Sequence, residues 1–477
     1  MSDRYYGGLV TSTDNLPADN FATTPANGVW TMQQAIELDS QSLWPTAGLN
    51  PPTYWFTVYQ GPLGYTVFGP QSNIIVESNG DIVFAGYFSP NSGPDQGGAY
   101  IAKMNYQGTL QWQKSYKCVT TYSTIFNGRS VRKDSSGDYV ISLYDQGAGS
   151  ENTDVITVAS DGSSASENFQ IGNSGFIAEI ILDSTGTQYI MAGYTGGLVS
   201  YYARFNSSGA IQASNYGRTS NSRPYGFVNS LKSAKVDSSN SLYAQWANIY
   251  EGGYVKYNSS GGIVVSSMIG GGGYASGVGG MCFENGSVPA NFYATGYAYP
   301  NSAACNLFKV SAGNGTSVSW SYQITNCSFS MIGVVDSSNT YLYMMTTSSS
   351  FSGELVLIKI ATSNGAIQWG RRIQWSGGNL SNNGDLVLDE TNSAIVITAN
   401  PSGDKTIVIR IPLDGSGYGQ VYGDWQYYSF TPTTTTAQGS WASTSWTSGS
   451  SPVNSSTTIT GAFADVTTRS FNREAGP

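Results

Sequence analysis

An acidic residue followed by a small polar turn recurs along this chain at Glu77, Asp134, Asp183, Asp237, Glu284, Asp336 and Asp389. The surrounding runs are alike: "VESNGDIVFAGY", "KDSSGDYVISLY", "LDSTGTQYIMAGY", "VDSSNSLYAQW", "FENGSVPANFYATGY", "VDSSNTYLYMM" and "LDETNSAIVITA". The 312 residues from Glu77 to Asp389 make six intervals of 52 on average, and self-similarity at such a period marks a repeat architecture. A second landmark follows each acid, a short apolar run closing on a glycine turn: "YIAKMNYQG", "VITVASDG", "YYARFNSSG", "YVKYNSSG", "LFKVSAGNG", "LIKIATSNG" and "IVIRIPLDG". Six of these carry a cation at one register, namely Lys103, Arg204, Lys256, Lys309, Lys359 and Arg410, whereas the second unit has Thr157 there.

Each unit thus holds four short runs rich in β-branched and aromatic residues, separated by Gly, Asn, Asp and Ser. In the first unit they are expected at about 72–77, 81–88, 99–105 and 109–116. A single unit of this kind cannot bury both its faces, so neighbours must stack on it. Four antiparallel strands per unit, seven times over, predict an all-β chain: a seven-bladed β-propeller of four-stranded antiparallel blades over residues 72–425. A parallel β-helix is the competing repeat fold, but its rungs are shorter and need no hairpin turns. The runs "SNGDIVFAGY" and "SSGDYVISLY" resemble the bacterial propeller repeats with Asp-x-x-Gly-Asn-x-Tyr-Val-x-Gly-like blades, while Trp-Asp, kelch and sialidase Asp-box patterns are missing.

Two readings compete for the repeated acid. It caps its turn by accepting backbone N–H groups, or, at "DSSGD" (residues 134–138), it contributes to a calcium site. The repeated cation is expected to pair with a carboxylate or carbonyl near strand three. The connections between strands two and three, and from strand four to the next blade, vary in length, so recognition is expected on the face where they emerge. Tyr87, Phe88, Tyr297 and Tyr299 stand there among Ser, Asn and Gly, as candidates for a ligand face or as strand-end core residues.

Composition narrows the chemistry. The chain has no histidine, which removes the commonest general base and metal ligand, although two carboxylates can still hydrolyse a glycoside. A net charge of -9 argues against a nucleic-acid partner. The four cysteines, Cys118, Cys282, Cys305 and Cys327, have no CxxC spacing; Cys305 and Cys327 form a disulfide, or the thiols are buried and free. No run of 18 apolar residues and no basic region ahead of an apolar one occurs, so neither membrane insertion nor export by the general secretory route is expected.

The flanks differ from the repeats. Residues 1–71 are expected to form an arm with a short helix within "ANGVWTMQQAIELDSQSLWP" (26–45), too short to stand alone, which folds back on the propeller or docks on another protein. Residues 426–477 form a Ser/Thr-rich tail with Trp441 and Trp446, which alone reads as a linker. The run "GVWTMQQAIELDSQSLWP" resembles a short module of tail and fibre proteins of marine bacteriophages, notably those of cyanobacteria. The resemblance implies a virion structural protein, made in the host cytoplasm and displayed on the particle as a tail, fibre or capsid-appendage component. Its termini would dock on other virion proteins, through Trp30, Ile36, Leu43 and Trp44 in the arm and Trp441 and Trp446 in the tail. Host glycan or protein would be the further partner, with no enzymatic activity, cofactor or metal. The other readings are a receptor-binding lectin, compatible with the first, and a glycosidase or lyase acting on capsule.

Overall fold

The computed structural model describes residues 4–5, 8–9, 55–60, 65–68, 74–90, 98–117, 127–147, 150–172, 176–195, 199–219, 234–247, 252–270, 278–297, 304–328, 331–349, 353–401, 405–422, 425–437, 440–443, 446–449, 454–456, 464–465 and 472–475. The chain divides into two units, Met1–Trp55 and Phe56–Pro477. In the first, Arg4–Tyr5 pairs antiparallel with Gly8–Leu9. The expected helix at 26–45 lies outside the described residues.

The second unit is a seven-bladed β-propeller. Blade 1 runs outward from Ile74–Val76 through Ile82–Pro90 and Gly98–Met104 to Leu110–Lys117, matching the four strands expected from the sequence. The other innermost strands are Asn127–Lys133, Phe176–Leu182, Ala234–Val236, Val278–Phe283, Ile332–Val335 and Leu380–Asp389, opening blades 2 to 7 in order. Blade strands are buried on both faces because each sheet is covered by two others. Ala394–Pro401, second in blade 7, is buried along nearly its whole length. Ile367–Trp375, fourth in blade 6, is by contrast mostly partly exposed or exposed, with three buried positions.

The apolar core is a set of wedges between blades. Val83, Ala85 and Ile101 of blade 1 meet Val131, Tyr139 and Ile141 of blade 2. Ile190 and Tyr202 of blade 3 likewise meet Leu242 and Tyr257 of blade 4. The turns after the first strands tie neighbours together: Ser184 N donates to Asn240 Oδ1 (3.0 Å), Asn285 N to Asn339 Oδ1 (2.6 Å) and Ser337 N to Glu390 Oε1 (2.6 Å). These turns require a left-handed residue, supplied by Gly186 (φ 71°) in blade 3 and by Asn240 (φ 61°) in blade 4, the non-glycine type that tolerates it best. The ring closes where Ile74 N of blade 1 donates to Asp385 Oδ2 of blade 7 (3.0 Å) and Tyr100 Oη meets Thr406 Oγ1 (2.9 Å).

The sheets extend past the expected span of 72–425 on both sides. Blade 7 takes its fourth strand, Trp55–Gln60, from ahead of blade 1, so residues from the two ends of the propeller share one sheet. Gln420–Tyr422, expected within the seventh unit, instead forms a hairpin with Trp425–Phe430 on the edge of blade 6. From there the chain visits the outer edge of every other blade in reverse order. Thr434–Thr436 joins blade 5, Ser440–Ser443 blade 4, Trp446–Gly449 blade 3, Asn454–Ser456 blade 2, Ala464–Asp465 blade 1 and Asn472–Ala475 blade 7. Every one of these pairings is antiparallel. An uncovered outer strand would offer a row of unpaired N–H and C=O groups, and β-compatible Thr and Ser are suited to covering it through main-chain bonds alone.

Candidate functional site

The repeated acid sits where each innermost strand ends. Asp134, Asp183, Asp237 and Asp336 each turn one carboxylate oxygen on backbone N–H groups of the following turn. Asp183 Oδ1 takes Thr185 N (3.2 Å) and Thr187 N (3.0 Å), and Asp336 Oδ1 takes Thr340 N (2.7 Å) and Tyr341 N (2.9 Å). The capping reading therefore holds. At Asp134 the same oxygen accepts Ser136 N (2.9 Å) and Asp138 N (3.0 Å), and among the described residues no group of three His, Cys, Asp or Glu side chains is placed to hold a metal ion.

The repeated cation reaches back to the acid of its own blade in four blades. Lys103 Nζ lies 2.6 Å from Glu77 Oε2, Arg204 Nη2 3.6 Å from Asp183 Oδ2, Lys309 Nζ 3.1 Å from Glu284 Oε1 and Arg410 Nη2 2.8 Å from Asp389 Oδ2. In blades 4 and 6 it lies over aromatic faces instead, Lys256 at 4.7 Å from the centre of Tyr243 and Lys359 at 4.0 Å from that of Tyr341. Tyr243 Oη in turn donates to Asp237 Oδ2 (2.9 Å), and Tyr293 Oη to Glu284 Oε1 (2.8 Å). Burial pushes the Glu284 carboxyl up, but Asn291, Tyr293 and Lys309 outweigh it and hold it below the usual range. These carboxylates are engaged by turn, cation or tyrosine, one per blade.

A further column lies two residues before each acid: Ile75, Arg132, Ile181, Lys235, Cys282, Val334 and Val387. Six of the seven are partly exposed although they belong to innermost strands, and Cys282 is buried; Ile75 and Ile181 pack against the apolar wedges between blades 1 and 2 and between blades 3 and 4. The column is aliphatic except for the thiol of Cys282 and the cations of blades 2 and 4. A cavity of about 220 Å³ is lined by Arg132, Lys235, Cys282, Phe283, Val334 and Val335, with Asn285 at the turn end. Burial pushes the Arg132 guanidinium pKa down and the nearby Asp385 carboxylate pulls it back. Burial likewise lowers that of Lys235, offset by Glu284, whose backbone oxygen accepts from Lys235 Nζ at 2.6 Å. Neither cation stood out in the linear sequence; the signal appears when the seven units are aligned on their acids and the mixed column is compared.

Of the residues expected to form a ligand face, Tyr87 and Phe88 lie at the outgoing end of the second strand of blade 1, opposite Ala99 and Gly98. Tyr297 ends the second strand of blade 5, opposite Cys305. The backbone thus puts them at equivalent ends of two blades without making them neighbours. Tyr299, Trp30, Ile36, Leu43 and Trp44 lie outside the described residues. Trp441 pairs with Ile269 of blade 4 and Trp446 with Thr219 of blade 3. Cys282, Cys305 and Cys327 are buried free thiols in one apolar cluster between blades 5 and 6, so the disulfide alternative falls. Burial pushes the Cys305 thiol up to about 12, which suppresses the reactive thiolate. Cys118 is outside the described residues.

No family model matches this chain, and no curated protein does either. Solved structures of similar fold include the WD40 domain of Toxoplasma gondii coronin, 11% identical, covering 75% of this chain and 86% of that one with a TM-score of 0.45. The Penicillium chrysogenum alpha-L-arabinanase complexed with arabinobiose is 11% identical, with coverage of 76% and 99% and a TM-score of 0.44. The periplasmic gluconolactonase of Pseudomonas aeruginosa is 10% identical, with coverage of 79% and 99% and a TM-score of 0.42. Enzymes and a non-enzyme module stand side by side among these, and the likeness is one of fold.

Proposed function

We propose that this chain is a non-enzymatic structural protein of a bacteriophage virion, in which the propeller is a rigid disc displayed for recognition of a host-surface glycan or protein. The observation that carries the non-catalytic part is the engagement of the repeated acids. Hydrolysis of a glycoside needs two carboxylates across one cleft, one of them free to take up a proton. Here the repeat distributes its acids one to a blade, and each is used by a turn, a cation or a tyrosine of the same ring. The recognition part is supported by aromatic residues ending the second strands of blades 1 and 5, where Tyr87, Phe88 and Tyr297 adjoin the connections of most variable sequence. The phage placement rests on the resemblance of the "GVWTMQQAIELDSQSLWP" run to the tail and fibre module.

The experiment has two arms. In a lysate of the cells that produce it, the chain is expected to co-sediment with particles; recovery only in the soluble fraction overturns the virion placement. The purified chain is also incubated with host capsule or surface polysaccharide. Retention on the polysaccharide without new reducing ends or unsaturated sugars is expected, and release of either product overturns the non-enzymatic reading.

A further inference from the structure

We propose that the cavity at the turn end of the central channel binds a small organic anion, a carboxylate or phosphate monoester whose charge is taken by Arg132 and Lys235 and whose apolar body lies against Phe283, Val334 and Val335. The cavity is separate from the surface proposed for host recognition, because its walls come from the last residues of the innermost strands and from Asn285 in the turn that follows one of them. Its occupant is inferred from the wall chemistry. Five blades supply an aliphatic or thiol side chain at this strand position. Blades 2 and 4 supply cations instead, and both reach the same cavity.

Placing two cations in a partly dehydrated channel costs free energy unless negative charge faces them. Asp385 faces Arg132. On the Lys235 side the neighbouring carboxylate is that of Glu284, which is already bonded to Lys309, Tyr293 and Asn291, and the ammonium reaches only its carbonyl oxygen. The Lys235 side therefore carries cationic charge in excess of carboxylate. A guanidinium and an ammonium lining one cavity suit an oxyanion, with Lys235 as a point charge and Arg132, whose Nη1 donates to Val131 O at 2.8 Å, adding positive charge beside it. Walls of low polarity strengthen both attractions relative to water. A volume of about 220 Å³ admits an anion with a compact body. Arg132, Lys235 and Val334 are partly exposed, so solvent and a small solute reach the site.

The test is calorimetric titration of the full chain with benzoate, phenyl phosphate, inorganic phosphate and, as the uncharged control, benzyl alcohol. Benzoate or phenyl phosphate is expected to bind and benzyl alcohol not to, and the preference between the two anions distinguishes a carboxylate from a phosphate ligand. Lys235→Gln is expected to weaken binding by about tenfold or more, an effect typical of losing a charged partner in a dehydrated site. Val334→Phe changes no charge and narrows the cavity, so it is expected to remove binding of the aromatic anions while inorganic phosphate is affected less. Arg132→Gln is read only if its thermal midpoint is retained, given its proximity to Asp385; Lys235→Gln and Val334→Phe decide the matter without it. Absence of binding by all three anions, or binding unchanged in both deciding variants, overturns the proposal. Either result leaves the particle and polysaccharide experiments untouched.

Discussion

Blade 2 and blade 7 occupy equivalent places in one ring, yet they solve the same local problem differently. In blade 7, Asp389 and Arg410 form a buried pair at 2.8 Å, with Asn392 donating to the same carboxylate. In blade 2 the cation's register holds Thr157, whose hydroxyl accepts from Asn168 Nδ2 at 2.7 Å, and Asp134 serves its turn alone. The cation of blade 2 sits on its innermost strand instead of its third and serves the neighbouring blade: Lys133 and Tyr139 reach across to Glu77 of blade 1, which already holds Lys103. The backbone records the same difference. In blades 1, 3, 4, 5 and 6 a β-bulge between the third and fourth strands falls immediately after the repeated cation. In blade 2 it falls between Val155 and Ile156, ahead of Thr157. A bulge turns its neighbour's side chain and increases local twist. The bulge follows the cation whether that cation reaches the acid, as in blades 1, 3 and 5, or a tyrosine face, as in blades 4 and 6, and blade 2, lacking the cation, places its bulge elsewhere.

The largest effect that would test this contrast is at the buried pair. Arg410→Ala leaves Asp389 with Asn392 as its remaining side-chain donor, in a place where both partners are almost fully covered. Breaking such a pair costs about 3–5 kcal/mol, mostly as the penalty of an uncompensated buried charge. Denaturant unfolding of the variant should show that loss, while Arg410→Ala combined with Asp389→Asn should recover part of it. A loss below about 1 kcal/mol would mean that the pair is no more than the exposed kind, and the contrast with blade 2 would lose its energetic content.

The shared acid of blade 1 gives the next effect. Burial pushes Glu77 up, but the bonds from Lys103, Lys133 and Tyr139 outweigh it and hold the carboxyl at about 2, against an ordinary value of 4.5. A depressed folded-state pKa stabilises the protein above the unfolded value, and that contribution fades as pH falls from about 4.5 toward 2. Its size is on the order of 2–3 kcal/mol at neutral pH, taken below the full linkage value because Lys133 is substantially exposed. The stability difference between the wild-type chain and Glu77→Gln, followed by chemical unfolding from pH 6 to pH 2, should shrink across that window. A difference constant with pH would show that the two lysines do not act on this carboxylate.

Much of this was legible before the structure, for a physical reason. The acid and its turn recur seven times and the cation six, because the blades must cap equivalent hairpins and fix equivalent registers. The strand limits of blade 1 follow from that periodicity, as does the expectation that Lys103 pairs with a carboxylate or carbonyl; that its partner is Glu77 came from the structure. The outer strands did not show, because Thr434–Thr436 meets Tyr322–Ile324 by main-chain pairing across more than a hundred residues, and a Ser/Thr tract carries no apolar alternation to announce it. Trp55–Gln60 was hidden likewise: its partners belong to the far end of the ring. Arg132 and Lys235 were missed because each occurs once, and the cavity they share is defined only when strands from several blades converge.

The smallest effect is also the most direct comparison of the two blades. Thr157→Lys supplies blade 2 with the cation it lacks, at a position opposite Val140 on one side and Ser166 on the other. In blade 1 the equivalent Lys103, opposite Val83 and Trp112, reaches the acid of its own blade. The substitution removes the hydroxyl that accepts from Asn168, a loss of about 1 kcal/mol, softened because Asn168 also reaches Tyr189 Oη at 3.3 Å. It adds a partly exposed ion pair with Asp134, worth about 0.3–1 kcal/mol. The two nearly cancel, so overall stability should stay within about 0.5 kcal/mol of the wild type. The informative quantity is the coupling in a cycle of Thr157→Lys and Asp134→Asn, which subtracts the lost hydroxyl and leaves the pair. A coupling of about 0.3 kcal/mol or more would mean that the side chain alone restores the pairing. No measurable coupling would mean that the displaced bulge aims residue 157 away from the acid, so that backbone and cation are required together.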